Sequence, residues 1–163
     1  MSATIPRLGN IVARDHIQTV IEGIMASEFT SLIGAKIYEE PVPQKLQAGA
    51  GDPYPLTAYQ ITAPIRSIYD ASDEGDALAR DFACKIEVRD VGHHYARARL
   101  LYHFIRERLN KTPNEEVSGE YEGGRVNSCV EDLELPPGWR KGAGGEIYYH
   151  VGGLWTLQTQ KHE

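Results

Sequence analysis

The residues most able to do chemistry in this chain are three histidines and a run of acids. His93 and His94 are adjacent, and His103 lies nine positions after His94. Neighbouring helical residues point about 100° apart, so the pair offers one metal no common face. A separation of nine is no better, and a place at a helix start suits these histidines more. From Asp70, the residues Asp70, Ser72, Glu74 and Asp76 occupy alternate positions and Gly75 falls sixth, as in a calcium loop. That loop needs a bidentate Glu at its twelfth position and helices on both sides. Asp81 stands there instead and both flanks read as strands, so 70–77 reads as an exposed acidic hairpin tip. Gly142, Gly144 and Gly145 lack the strand-to-helix setting and the Gly-Lys-Ser or Gly-Lys-Thr of a phosphate cradle. No Ser stands in a Gly-x-Ser-x-Gly elbow. Local spacing forces no two carboxylates together. Active sites also assemble from distant residues, but nothing here supports one. The expectation is a protein that is not an enzyme, with no metal and no cofactor.

The elements around these residues follow from periodicity. Ile17, Val20, Ile21, Ile24, Met25, Phe29 and Leu32 step by three and four, which predicts a helix over 14–33 with Asp15 as N-cap and Gly34 as C-cap. Lys36 to Glu39 reads as a short strand stopped by Pro41 and Pro43, and 41–55 as a surface loop. Strand character returns over Tyr54 to Thr62, Pro64 marks an edge or a break, and Ile65 to Tyr69 is a further strand candidate. Over 78–90, Phe82, Cys84, Ile86 and Val88 alternate with Asp81, Lys85, Glu87 and Arg89, a clear period of two. A second helix is predicted over 93–109, with Leu101, Phe104, Ile105 and Leu109 inward, Ala98 and Tyr95 extending the stripe upstream, and its charged residues mostly solvated. Ile24 and Phe104 are the core residues picked from the two stripes. Asn110 can cap this helix, and Pro113 stops it.

The region 111–145 reads as extended loop and strand, with a strand over Arg125 to Leu135 ended by Pro136 and Pro137. Trp139 then falls on a loop, where it either anchors a partner or folds back over the sheet edge. A glycine turn over Lys141 to Gly145 leads into the last strand, 146–160, bulged at Gly152 and Gly153. The architecture predicted is α+β: one domain over 1–163, an antiparallel sheet with two main helices on one face.

Bulk properties narrow the class of protein. With 41% hydrophobic and 25% charged residues the chain is globular, not disordered. A net charge of -6 speaks against a surface that grips nucleic acid, though not against a protein that encircles DNA. Two cysteines, Cys84 and Cys129, make no disulfide framework and read as buried thiols. The start MSATIPRLGN has no apolar run of a signal peptide, and no run is long enough to span a membrane, so a cytoplasm-like compartment is expected.

The layout resembles a known family. A first helix ends in Leu32, Ile33 and Gly34. Lys36-Ile37-Tyr38, a Pro-containing stretch and the strand Pro55-Leu56-Thr57-Ala58-Tyr59-Gln60 follow. Lys85-Ile86-Glu87-Val88 then leads into a helix with Ala96, Ala98 and Leu101. This is similar to the tail-terminator, or tail-completion, proteins of long-tailed bacteriophages, over about residues 12–110 and more loosely beyond. The long tip at 71–80 and the region 114–145 depart from the pattern.

The resemblance implies a ring, usually a hexamer, that caps the tail tube, ends its polymerisation and offers a surface for head joining. It implies as partners further copies of the chain, the tail-tube protein and a head connector or stopper. DNA would pass the lumen without specific binding, and no membrane is involved. The implied place is the virion, at the head–tail junction, after synthesis in the host cytoplasm. In such a ring, Asp70, Asp73, Glu74 and Asp76 would meet a neighbour's Arg97 or Arg99, or face the lumen; an ordinary solvated turn is the plain alternative. A head-side neck or stopper protein remains a rival reading. So does a small-molecule enzyme or binding domain with a pocket between helix and sheet.

Overall fold

The computed structural model describes residues 8–28, 37–40, 54–69, 77–91, 95–142 and 145–161. The first apolar stripe winds into α1, Leu8–Glu28. Val12, His16 and Val20 form one buried row, and Ala13, Ile17 and Ile21 the next. The helix begins six residues ahead of the predicted Arg14, because Val12 and Ala13 continue the stripe at its own spacing. Asp15 therefore lies inside α1 and is not its N-cap. The side chain of Ile24, the C-cap at Gly34 and residues 29–36 lie outside the described residues.

The second helix, α2, is Tyr95–Asn110, with Ala98, Leu101, Tyr102, Ile105 and Leu109 buried. Phe104 is only half-buried against this core. Backbone bonds from Lys111 N to Arg108 O (3.3 Å) and Thr112 N to Leu109 O (3.2 Å) tighten the last turn. Pro113 has no N–H to extend it. Asn110 ends the helix and accepts a hydrogen bond from the amide of Glu131 (3.2 Å). His93 and His94 lie outside the described residues.

The strands are β1 (Ile37–Glu39), β2 (Leu56–Tyr69), β3 (Ala77–Val91), β4 (Glu120–Tyr121), β5 (Gly124–Lys141) and β6 (Ile147–Lys161). They form one sheet in the order β1-β2-β3-β6-β5-β4. All neighbours are antiparallel except β1 and β2, which run parallel, so the sheet is mixed rather than purely antiparallel. β3 and β6 pair without interruption from Ala79↔Gln160 to Val91↔Tyr148 and form the centre. Phe82, Cys84, Ile86 and Val88 of β3 face the same way as Tyr149, Val151, Trp155 and Leu157 of β6. α1 and α2 both cover that face, which gives the α+β arrangement the two periodicities predict.

Prolines sit on strands near the sheet's edges, which decides the reading of Pro64 and corrects two others. β2 runs through Pro64, with register shifts on either side of it. β5 runs through Pro136 and Pro137, where the ladder passes from Leu135↔Gly152 directly to Gly138↔His150. Two prolines thus sit opposite one residue, in a bulge where no amide is required of them. Trp139 is consequently on a strand, paired with Tyr149, and not on a loop. The irregularities of the β5–β6 pair all lie on β5. β6 is regular at Gly152 and Gly153, where close approach rather than a bulge demands glycine. A Cβ on Gly152 would stand 2.2 Å from the carbonyl oxygen of Ile86, and one on Gly153 would stand 2.3 Å from the Tyr102 hydroxyl. β4 pairs with β5 only at Glu120↔Arg125 and Tyr121↔Gly124. Among the described residues, the rest of β5 has no strand on its outer side.

Candidate functional site

On the sheet face away from the helices, the strand charges turn inward. Glu87 is 2% exposed, and Arg89 and His150 are also buried. Arg89 Nε donates to Glu87 at 2.7 Å. Lys85 stands 3.4 Å from the same carboxylate, His150 Nδ1 3.6 Å and Arg140 3.7 Å. Arg89 also pairs with Glu40 and lies over the Tyr148 ring, 5.4 Å from its centre. Burial alone would raise the Glu87 carboxyl, but the Arg89 hydrogen bond and the charges of Arg89, Lys85 and His150 outweigh it and hold it below the usual range. His150 is pushed down by burial and by Arg140, Lys85 and Arg89, against the pull of Glu87. A carboxylate tied to Arg89 and ringed by further cations is a poor base, so the cluster reads as structure rather than acid–base machinery.

Two further networks close on the helix side. Tyr102 donates to Glu131, accepts from Trp155 Nε1 (3.1 Å), and fills the space that Gly153 leaves. Arg106 Nε bonds the same carboxylate at 3.1 Å, and its other end reaches Glu134 at 3.2 Å. His16 is fully buried between Thr112 Oγ1 (2.7 Å) and the Tyr121 hydroxyl (2.8 Å). Thr112 gives its own proton to the Leu109 carbonyl at 2.7 Å, so it must accept from His16. That assigns the ring proton to Nε2 and leaves Nδ1 to accept from Tyr121. Burial pushes His16 down to about 4.

Cys84 and Cys129 are free, and burial pushes both thiols up. They share the helix-side face, opposite Trp155 and Leu157 respectively, but β6 runs between their strands. Among the described residues, no group of three or more His, Cys, Asp and Glu side chains could hold a metal, and no helix is long and apolar enough to cross a membrane. A cleft of about 340 Å³ lies between α1 and the end of α2. Its charged lining residues, Arg108 and Glu116, pair with each other at 3.7 Å.

Among the described residues, several aromatic and apolar side chains gather at one corner of the helix-side face. Tyr149 is held edge-on by Trp139 (5.2 Å between ring centres) and by Tyr95 (6.1 Å). Tyr149 is buried, while Trp139 is 51% and Tyr95 50% exposed. Ile147 and Lys141, paired across the strands one row further along the same face, are exposed too. Arg99 lies one turn along α2 from Tyr95 and is exposed. Arg97 is differently placed: it donates through Nε (2.6 Å) and Nη2 (2.8 Å) to the buried carboxylate of Asp90. Asp70, Asp73, Glu74 and Asp76 lie outside the described residues, so nothing is added about that tip. Tyr95 and Ile147 went unnoticed as surface residues because each continues an apolar pattern whose last member the core does not cover.

No protein-family model matches this chain, and no curated protein does. Among solved structures it is similar to a chain described as "Virion of native gene transfer agent (GTA) particle", with a TM-score of 0.48 and 14% identity over 88% of this chain and 93% of that one. A likeness of that size carries nothing about what this chain does.

Proposed function

We propose that this chain is a structural virion protein: a ring-forming tail terminator that caps the tail tube, ends its polymerisation and offers the surface for head joining. One observation carries the reading. The polar networks close within the chain, while large apolar side chains stay open on both sides of the sheet. Leu133 and Leu154 face each other across β5 and β6 on the open side, 55% and 36% exposed, and Trp139, Tyr95 and Ile147 lie on the helix side. Such a surface is made to be covered by protein. The ring and its place come from the family that the sequence resembles. Six copies would carry a formal charge of six times -6, or -36. Like charge of that size lets DNA pass without sticking. The acidic tip at 70–77 would face the lumen or a neighbouring subunit, and the head-side partner would be a connector or stopper. The chain acts without catalysis, metal or cofactor.

The test is native mass together with electron microscopy of the purified chain mixed with tail tubes. The reading expects closed rings seated on tube ends. A monomer that ignores tube ends would end it.

A further inference from the structure

We propose that the aromatic corner of one copy of this chain seats the acidic stretch 114–123 of a second copy, in a head-to-tail contact. The corner combines half-exposed Trp139 and Tyr95 with exposed Ile147, and Lys141 and Arg99 lie beside them. Aromatic anchors of this kind, with charge around them, are what contact surfaces are built on. Neither Lys141 nor Arg99 makes an ion pair among the described residues. The neighbouring carboxylates are turned inward: Asp90 is taken by Arg97, and Glu146 accepts from the Tyr54 hydroxyl at 2.8 Å. The corner therefore presents positive charge on a chain whose net charge is -6.

Its complement lies on the chain itself. Residues 114–123 include Glu115, Glu116, Glu120 and Glu122, all exposed, and no Lys or Arg. Asn114 Oδ1 accepts from the amides of Glu116 (2.9 Å) and Val117 (2.8 Å), so the stretch has a defined shape. β5 begins at Gly124, beside this stretch, and ends at Lys141, in the corner. Glu116 is held by Arg108 near the end of α2, about 20 Å along that helix from Tyr95, and Gly124 and Lys141 stand at opposite ends of β5. They cannot meet within one chain, and only a second copy joins them. A contact between two different surfaces of the same chain propagates, and it closes into a ring when the rotation allows. The proposal rests on the tail-terminator reading for that closure alone. Cations beside aromatic rings also suit single-stranded nucleic acid. The chain's overall negative charge and its own acidic complement favour the protein.

The test is sedimentation equilibrium of the full chain at low salt, with circular dichroism to check the fold. Arg99→Glu with Lys141→Glu reverses the corner, and Glu115→Lys with Glu122→Lys reverses the acidic stretch. Wild type is expected to assemble, and each reversed variant to associate about tenfold more weakly or worse. Mixing the two variants is expected to regain the wild-type mass, since each reversed surface then meets its opposite. Trp139→Ala is expected to weaken association at low and high salt alike, because its contact is not ionic. A wild type that stays monomeric overturns the proposal. So do reversed variants that keep the wild-type mass, or a mixture that stays dissociated. A single-stranded oligonucleotide that binds wild type but not the corner variant, with masses unchanged, assigns the corner to nucleic acid and also overturns it. If the charge swap works while tube ends are ignored, the contact stands and the tail-terminator reading falls.

Discussion

Acid should unfold this protein partly through one residue, His16. Its ring is fully buried, and both nitrogens are engaged by hydroxyls, with the proton on Nε2. Protonation would place a charge in the core and force Nδ1 to donate toward Tyr121. Burial holds His16 at about 4, against about 6.5 for an exposed histidine. Between those values the unfolded chain binds a proton that the folded chain does not. The contribution is therefore fully present above pH ~6.5 and is lost as pH falls toward ~4. A gap of about 2.5 units corresponds to about 3 kcal/mol. The assay is urea unfolding of wild type and His16→Gln across that range. Carboxylates titrate in both proteins and cancel in the difference. Whatever the offset at pH ~7, wild type should lose about 3 kcal/mol relative to the variant by pH ~4. A difference that stays flat with pH would refute the assignment of a buried neutral imidazole.

Other perturbations test the packing. Gly152→Ala should cost at least about 2 kcal/mol, because its Cβ meets the Ile86 carbonyl in the sheet centre. Gly23→Ala, in α1 with open space around it, should stabilise by about 0.5–1 kcal/mol; equal melting shifts for the two variants would contradict this account. Glu87→Gln keeps the shape but leaves Arg89, Lys85 and Arg140 without their shared carboxylate, and should cost about 3–5 kcal/mol in urea unfolding. A cost below ~0.5 kcal/mol would mean that water reaches those cations. Leu101→Ala should cost about 2–5 kcal/mol and half-buried Phe104→Ala distinctly less, an ordering that thermal unfolding can reverse.

Much of the fold was readable because burial writes itself into spacing. Leu101, Ile105 and Leu109 mark α2, and Phe82 to Val88 mark β3, by period alone. Tyr102 was missed because its ring is core while its hydroxyl needs Glu131 and Trp155, which come from distant strands. The burial of Glu87 did leave a signal. Lys85, Glu87 and Arg89 alternate in sign on one strand face, so they can neutralise one another there. His16 left a fainter one, sitting in register with Val12 and Val20. Pro136 and Pro137 misled because proline forbids a central strand but not an edge bulge, and edge position is a property of the whole sheet. The aromatic corner was legible in one residue, Trp139. Tyr95 joins it only because α2 and β5 meet over Tyr149.

The central claim is that this chain stops a growing tube. The most direct measurement is the length distribution of tail tubes, seen by electron microscopy, when purified tail-tube protein polymerises with and without the chain. The account predicts that tubes shorten in proportion to the chain added and that each arrested end carries a ring. Tubes of unchanged length, with the chain absent from their ends, would contradict it.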